Sequence, residues 1–268
     1  MKPRVFIWLI IILLPGIAWG ILPQVNSWVW FDYRAGTKSL VEDKEPKVVV
    51  LDPDYYLEGE IETLKQAGQT VLAYVCIGEA ESWRSYWAKI NYESWVLGPS
   101  ARRSGSYFIR FYTAYSWSDV LKNYIDGIQH MGFQGVLLDP ALALDYYPDK
   151  TEDMAELVTE LAKEVKSNDP NAYVVLLNGG ELLQYTDMSM RLDGFAEEGV
   201  WWDRNWLRTD AQVSLTRKDY LVQARGLGIT PLVMEFADGD AAIIETETLA
   251  SGEGFIPFFV PKDWEKYW

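Results

Sequence analysis

Short apolar runs recur along this chain, and the longer stretches between them are polar or carry apolar positions at helical spacing. The runs are Trp28 to Phe31, Lys47 to Leu51, Val71 to Ile77, Gly135 to Leu138, Tyr173 to Leu177, Gly194 to Glu197, Leu232 to Phe236 and Phe255 to Val260. Leu57 to Ala67, Trp117 to Met131, Thr151 to Ser167 and Arg217 to Leu227 read as helices, closed by turn signals at Gly68, Gly132, Asn168-Asp169-Pro170 and Gly228. Strands alternating with helices predict βα units on a parallel sheet, and this set of runs predicts an α/β fold of the (β/α)8 TIM-barrel class.

Two stretches break the rhythm. Tyr107 to Phe111 reads as a further strand, yet it follows the loop Gly98 to Gly105 and feeds into the helix before Gly135. It is therefore expected outside the closed barrel or on its rim. Between the first two runs Gly36, Lys44 and Pro46 interrupt any periodicity, so the barrel is predicted to be irregular near its first strands. No low-complexity linker, charge block or sustained repeat divides residues 28 to 268, which predicts a single domain.

The first residues follow a different pattern: Lys2 and Arg4, the apolar stretch Val5 to Leu14, then Pro15 and small residues at Ala18 and Gly20. This reads as an export signal over residues 1–20, with a mature domain over 21–268 and a secreted or periplasmic destination. About ten uninterrupted apolar residues fall short of the roughly twenty that span a bilayer. No stable membrane insertion is expected after removal of the signal, and an uncleaved N-terminal anchor is the alternative.

Composition narrows the chemistry. The net charge of −15 repels phosphate polymers, so nucleic acid is not an expected partner, whereas cations are attracted. Cys76 is the only cysteine and His130 the only histidine. Cys76 lies inside an apolar run and reads as a small buried hydrophobe; His130 falls at a helix C-terminus, where a cation favours the dipole. Histidine triads and histidine-ligated metal sites have little raw material here.

Acidic residues, by contrast, gather where the strands end. Asp32 follows the first run, Asp52 and Asp54 the second, and Glu79 and Glu81 the third. Asp139 follows the fourth, Asn178 the fifth, Glu198 the sixth, and Glu235 and Asp238 the seventh. The C-terminal ends of parallel barrel strands are where such folds keep their chemistry. Gly-Val-Leu-Leu-Asp139 and Gly-Phe-Ala-Glu-Glu198 stand out as apolar strands closing on carboxylates, and a pair of carboxylates suggests glycosidic bond cleavage. Aromatic residues cluster at the same ends, among them Trp83, Trp87, Tyr146, Tyr147, Trp202 and Trp206, and flat rings suit the apolar faces of sugars.

The segments Ala73-Tyr74-Val75-Cys76-Ile77-Gly78-Glu79-Ala80-Glu81-Ser82-Trp83-Arg84-Ser85-Tyr86-Trp87, Gly132 to Asp139, Leu177 to Leu183 and Phe195 to Gly199 resemble glycoside hydrolase family 114, the endo-α-1,4-polygalactosaminidase family of TIM barrels. The resemblance implies an exported hydrolase of α-linked galactosamine-containing polysaccharide, retaining and dependent on two carboxylates, with no cofactor and no metal. Asp139 would be the nucleophile and Glu198 the general acid/base. Glu198 matches better than Glu197 because the family's glutamate directly precedes the residue at Gly199, and strand alternation lets only one of the pair face the barrel mouth. Asp32, Asp52, Glu79, Arg84, Asn178, Glu197, Trp202 and Glu235 would bind substrate. Separated roles require separated environments: Glu198 raised in pKa by burial near Trp201, Asp139 held ionised by hydrogen bonds. The chain departs from the family after Asp139, where Leu142 stands in place of a second acid and Asp145 follows it. A hydrolase of another α-glycan and a non-catalytic carbohydrate-binding protein on the same barrel are the alternatives.

Overall fold

The computed structural model of the chain describes Leu22 and residues 27–31, 47–113 and 115–262. The expected export segment, Asp32 and the interrupted stretch between the first two strands lie outside these residues. The strands are β1 (Trp28–Phe31), β2 (Val48–Leu51), β3 (Thr70–Cys76), β4 (Glu79–Glu81), β5 (Val96–Pro99), β6 (Ser106–Ile109), β7 (Gly135–Asp139), β8 (Tyr173–Leu177), β9 (Gly194–Glu198), β10 (Thr230–Glu235) and β11 (Ile256–Phe259). The longer helices are α1 (Glu58–Gln66), α2 (Tyr115–His130), α3 (Thr151–Asn168), α4 (Ala211–Gly226) and α5 (Asp240–Glu253).

The eight apolar runs become one parallel sheet in the order β1-β2-β3-β7-β8-β9-β10-β11. The sheet curls until its outer strands meet. Trp28 Nε1 donates to Ile256 O at 2.9 Å, and the Trp28 ring meets Phe258 edge-on with centroids 5.6 Å apart. The result is a TIM barrel. Strands β2 and β3 are buried throughout, which is why their sequences are continuously apolar rather than alternating.

The helices form where the apolar spacing places them. In α3, Met154, Leu157, Val158, Leu161, Ala162 and Val165 are buried at helical spacing, while Glu152 and Asp153 in the first turn and Lys166 in the last oppose the helix dipole. Asp210 caps α4 by accepting from the backbone N–H groups of Gln212 and Val213. The helix α5 is not one the apolar spacing predicts: its apolar residues do not collect on one face, and only Thr246 and Ala250 are buried.

Between β3 and β7 the chain makes an excursion. Strands β4, β6 and β5 form a separate antiparallel sheet, with Glu79 opposite Phe108 and Glu81 opposite Ser106. The Tyr107 to Phe111 prediction thus becomes β6, outside the barrel as expected. Its partner β4 is not predicted, because Glu-Ala-Glu reads as an exposed rim although all three residues are buried. Gly78 lies at the start of the excursion, where a Cβ would stand 1.8 Å from Pro140 O. Only glycine allows β3 and the turn after β7 to approach this closely.

Candidate active site

Asp139 ends β7 and Glu198 ends β9, two strands on either side of β8. Both side chains line one cleft of about 520 Å³ together with Asn178, Arg102, Arg204, Asp145 and Glu181. The two carboxyl groups lie close enough for the charge of Glu198 to raise the pKa of Asp139.

Asp139 is 3% exposed and fully engaged. Its Oδ2 accepts from Tyr74 Oη at 2.7 Å and from Arg102 Nη1 at 3.3 Å, and its Oδ1 accepts from the backbone N–H of Ala141 at 2.8 Å. Burial nonetheless dominates and pushes its carboxyl above the usual aspartate value; Arg102, Tyr74 and the Ala141 N–H act in the opposite direction. The hydrogen bonding expected from the sequence is present, but it offsets desolvation rather than overcoming it.

Arg102 is the organising cation. Its fork reaches Glu79 Oε2 at 3.0 Å through Nε, Glu81 Oε1 at 3.1 Å through Nη2, and Tyr74 Oη and Asp139 through Nη1. Nη2 also lies 3.4 Å from Cys76 Sγ, a buried thiol whose pKa burial pushes well up, which removes it as a nucleophile. Arg84 extends the chain of charges by bonding Glu81 at 2.7 Å, Asp54 at 2.8 Å and Asp52. Neither Arg102 nor Tyr74 is found by reading the sequence. Tyr74 hides in a continuous apolar run, and Arg102 sits in Ser-Ala-Arg-Arg-Ser-Gly, which reads as a solvated turn. The available signal was indirect: several carboxylates buried at one rim require a cation among them.

Glu198 is held differently. Asn178 Nδ2 donates to Glu198 Oε2 at 2.8 Å while Glu198 N donates to Asn178 Oδ1 at 3.1 Å. Asn178 does this from a left-handed backbone (φ 59°), a conformation asparagine tolerates better than most residues. Arg204 Nη2, on a half-exposed side chain, reaches the same Oε2 at 2.5 Å. The buried Oε1 has no hydrogen-bond partner among the described residues. The expected apolar setting beside Trp201 is not what surrounds this carboxylate. Its Oε2 meets a guanidinium and an amide, while Trp201 packs toward Phe255 with ring centroids 6.4 Å apart.

Of the other predicted residues among those described, Asn178 and Glu197 line the cleft, and Asp52, Glu79, Arg84, Trp202 and Glu235 do not. Glu197 is on the face of β9 opposite to Glu198, beside Arg217 of α4, and burial raises its carboxyl to about 8. Asp52, Glu79 and Arg84 are buried in the ion-pair network. Glu235 is wholly buried and accepts backbone N–H bonds from Val200, Trp201 and Trp202, so it pins the loop after Glu198 rather than meeting solvent. Trp202 donates through Nε1 to Thr246 Oγ1 at 3.0 Å, and the Arg208 guanidinium covers its ring at 4.1 Å. Asp145 also lines the cleft, as does Leu142.

The family model described as glycoside-hydrolase family GH114 matches residues 18–199. An uncharacterized protein of Methanocaldococcus jannaschii is 27% identical over 226 residues, spanning 79% of this chain and 64% of its own length. An uncharacterized protein of Thermotoga maritima is 24% identical over 230 residues, spanning 78% of this chain and 71% of its own. The chain thus covers less than two thirds of the archaeal relative. Among solved structures, Ega3 of Aspergillus fumigatus in complex with galactosamine superposes with a TM-score of 0.71 at 15% identity, covering 89% of this chain and 92% of that one. The glycoside hydrolase domain of PelA from Pseudomonas aeruginosa gives 0.68 at 18% identity, covering 88% and 94%. At such identities the likeness establishes the shared barrel.

Proposed function

We propose, from the premise that this chain belongs to glycoside hydrolase family GH114, that it hydrolyses α-linked galactosamine-containing polysaccharide by a retaining mechanism. The observation that carries this reading is the pairing of Asp139 and Glu198 across one cleft, one carboxylate fully engaged and the other with a free buried oxygen. Asp139 attacks the anomeric carbon, and Arg102 and Tyr74 hold its carboxylate on line and accommodate its loss of charge in the glycosyl ester. Glu198, through the oxygen not taken by Asn178 and Arg204, protonates the departing glycosidic oxygen and then takes a proton from the water that releases the sugar.

Two features favour an amino sugar. With Glu197 holding its proton at neutral pH, the cleft carries Asp139, Asp145, Glu181 and Glu198 against Arg102, Arg204 and Arg217, a small acidic excess that attracts cationic groups. The structural neighbour Ega3 was solved with galactosamine bound. We place the activity outside the cytoplasm on the strength of the leader-like first residues; sequencing the N-terminus of the exported protein should return a start near Ile21.

The deciding experiment is reducing-end release from partly deacetylated α-1,4-galactosaminoglycan, with Asp139→Asn run alongside. Release by the wild type that vanishes in the variant, with α-configured first product by NMR, is the expected result. A folded wild-type protein that binds the polymer without cleaving it would overturn the hydrolase reading in favour of a binding role.

A further inference from the structure

Beyond the catalytic cleft, Tyr146 ends the turn of helix Ala143–Tyr146 that follows the Asp139 loop, and its side chain does not pack inward. It is 58% exposed, yet its ring is stacked on Phe108 with centroids 4.3 Å apart and planes 21° from parallel. Tyr147 braces it edge-on at 5.0 Å and is itself held by Tyr112 at 5.2 Å. One face of Tyr146 is therefore covered and its orientation fixed, while more than half of its surface stays in water. Its ring neighbours Phe108, Tyr112 and Tyr147 are each only half-buried, and Tyr146 is the most exposed of the four; a tyrosine serving only solubility would not be stacked.

The platform is tied to the cleft by two connections. Asp145, the residue before Tyr146, lines the cleft. Phe108 lies opposite Glu79 in the β4–β6 ladder, and Glu79 holds Arg102, which touches Asp139. We propose that the Tyr146–Phe108 stack is a distal sugar-binding subsite, which receives a pyranose of the chain whose scissile bond lies between Asp139 and Glu198. This rests on the reading of the cleft as a glycosidase site and extends it to polymer length.

The chemistry is that of carbohydrate stacking. A galacto-configured pyranose presents a patch of C–H groups on one face, which matches an exposed ring, while the phenol hydroxyl remains free to bond a sugar hydroxyl. Because the ring is already fixed, little side-chain entropy is lost when the sugar lands on it. Such a subsite acts only on chains long enough to span the cleft and the rim together.

The test is calorimetric binding of long and short oligosaccharides of partly deacetylated α-1,4-galactosaminoglycan to the Asp139→Asn protein, with and without Tyr146→Ala or Tyr146→Phe. Tyr146→Ala should weaken the long oligosaccharides by about three- to tenfold and leave the short ones unchanged; Tyr146→Phe should keep most of the long-chain affinity. Equal weakening of long and short ligands, or no change in either, would overturn the subsite. If the Asp139→Asn protein with Tyr146 intact binds neither length, the substrate reading fails first and the subsite falls with it, a result distinct from loss of the length dependence alone.

Discussion

The fork of Arg102 bonds Glu79, Glu81 and Asp139 at once, and each of those carboxylates is buried. Removing a buried partner leaves the opposite charges uncompensated, so Arg102→Met should destabilise the fold by about 3–5 kcal/mol, read as a lower denaturant midpoint. Arg102→Lys keeps the charge but cannot reproduce the fork; it should recover part of the stability while turnover remains depressed. The same geometry sets the acid side of the pH profile. On the proposed mechanism Asp139 must be ionised to attack, and burial holds its pKa above the usual aspartate value. The acidic limb of kcat/KM should therefore lie above that of an ordinary aspartate, near pH 3.9, and should move further up in Arg102→Lys as the opposing cation is weakened. A limb at or below the ordinary value would contradict the burial argument. At this scale the position of Asp139, Asn178 and Glu198 at one cleft is legible in the sequence, because each stands at the end of an apolar strand. Tyr74, Arg102 and Arg204 carry no such signal. Their contributions depend on where an excursion and a loop fold back, which no spacing along the chain encodes.

Elements bring those residues together, and the tightest junction is between β3 and the turn after β7. Gly78 there leaves no room for a side chain, since a Cβ would meet the Pro140 carbonyl oxygen at 1.8 Å and Ala143 Cβ at 2.7 Å. Gly78→Ala must displace the Pro140 turn that follows Asp139, at a cost of about 1–3 kcal/mol by analogy with overpacking. It should lower the melting temperature and reduce kcat more than it raises KM, because the displaced turn supplies the Ala141 N–H that orients Asp139. An unchanged kcat would show that the turn and the carboxylate are not coupled. The barrel strands were legible because apolar runs with flanking turn signals are a local property. The antiparallel β4–β6 sheet was only half legible: β6 has a strand's composition, but β4 is Glu-Ala-Glu and becomes a strand only because Arg102, Arg84 and Ser100 meet its glutamates. Likewise Glu235 looked like a rim ligand from its place at a strand end, whereas the loop carrying Val200 to Trp202 folds onto it and takes up both oxygens.

Across the whole molecule, buried acids make stability depend on pH in a direction opposite to the usual one. Burial raises the carboxyls of Glu197 and Glu235 to about 8, above their ordinary value of 4.5. In the folded state they hold their protons over a window in which the unfolded chain has released them, so the native state binds more protons there. Their contribution is fully present below pH 4.5, declines as pH rises, and is lost above about 8. Thermal midpoints should fall between pH 5 and pH 8 more steeply than in Glu197→Gln, which cannot ionise; parallel slopes in the two proteins would refute the assignment.

The meeting of Trp28 with Ile256 has one more consequence, in time rather than space. The partners are separated by 228 positions, and at roughly 5–20 residues per second of synthesis the first strand waits on the order of ten to forty-five seconds for the last. Throughout that interval β1 is an edge strand with an unpaired side, open to association with other strands. The arrival of the final strand is what closes that edge.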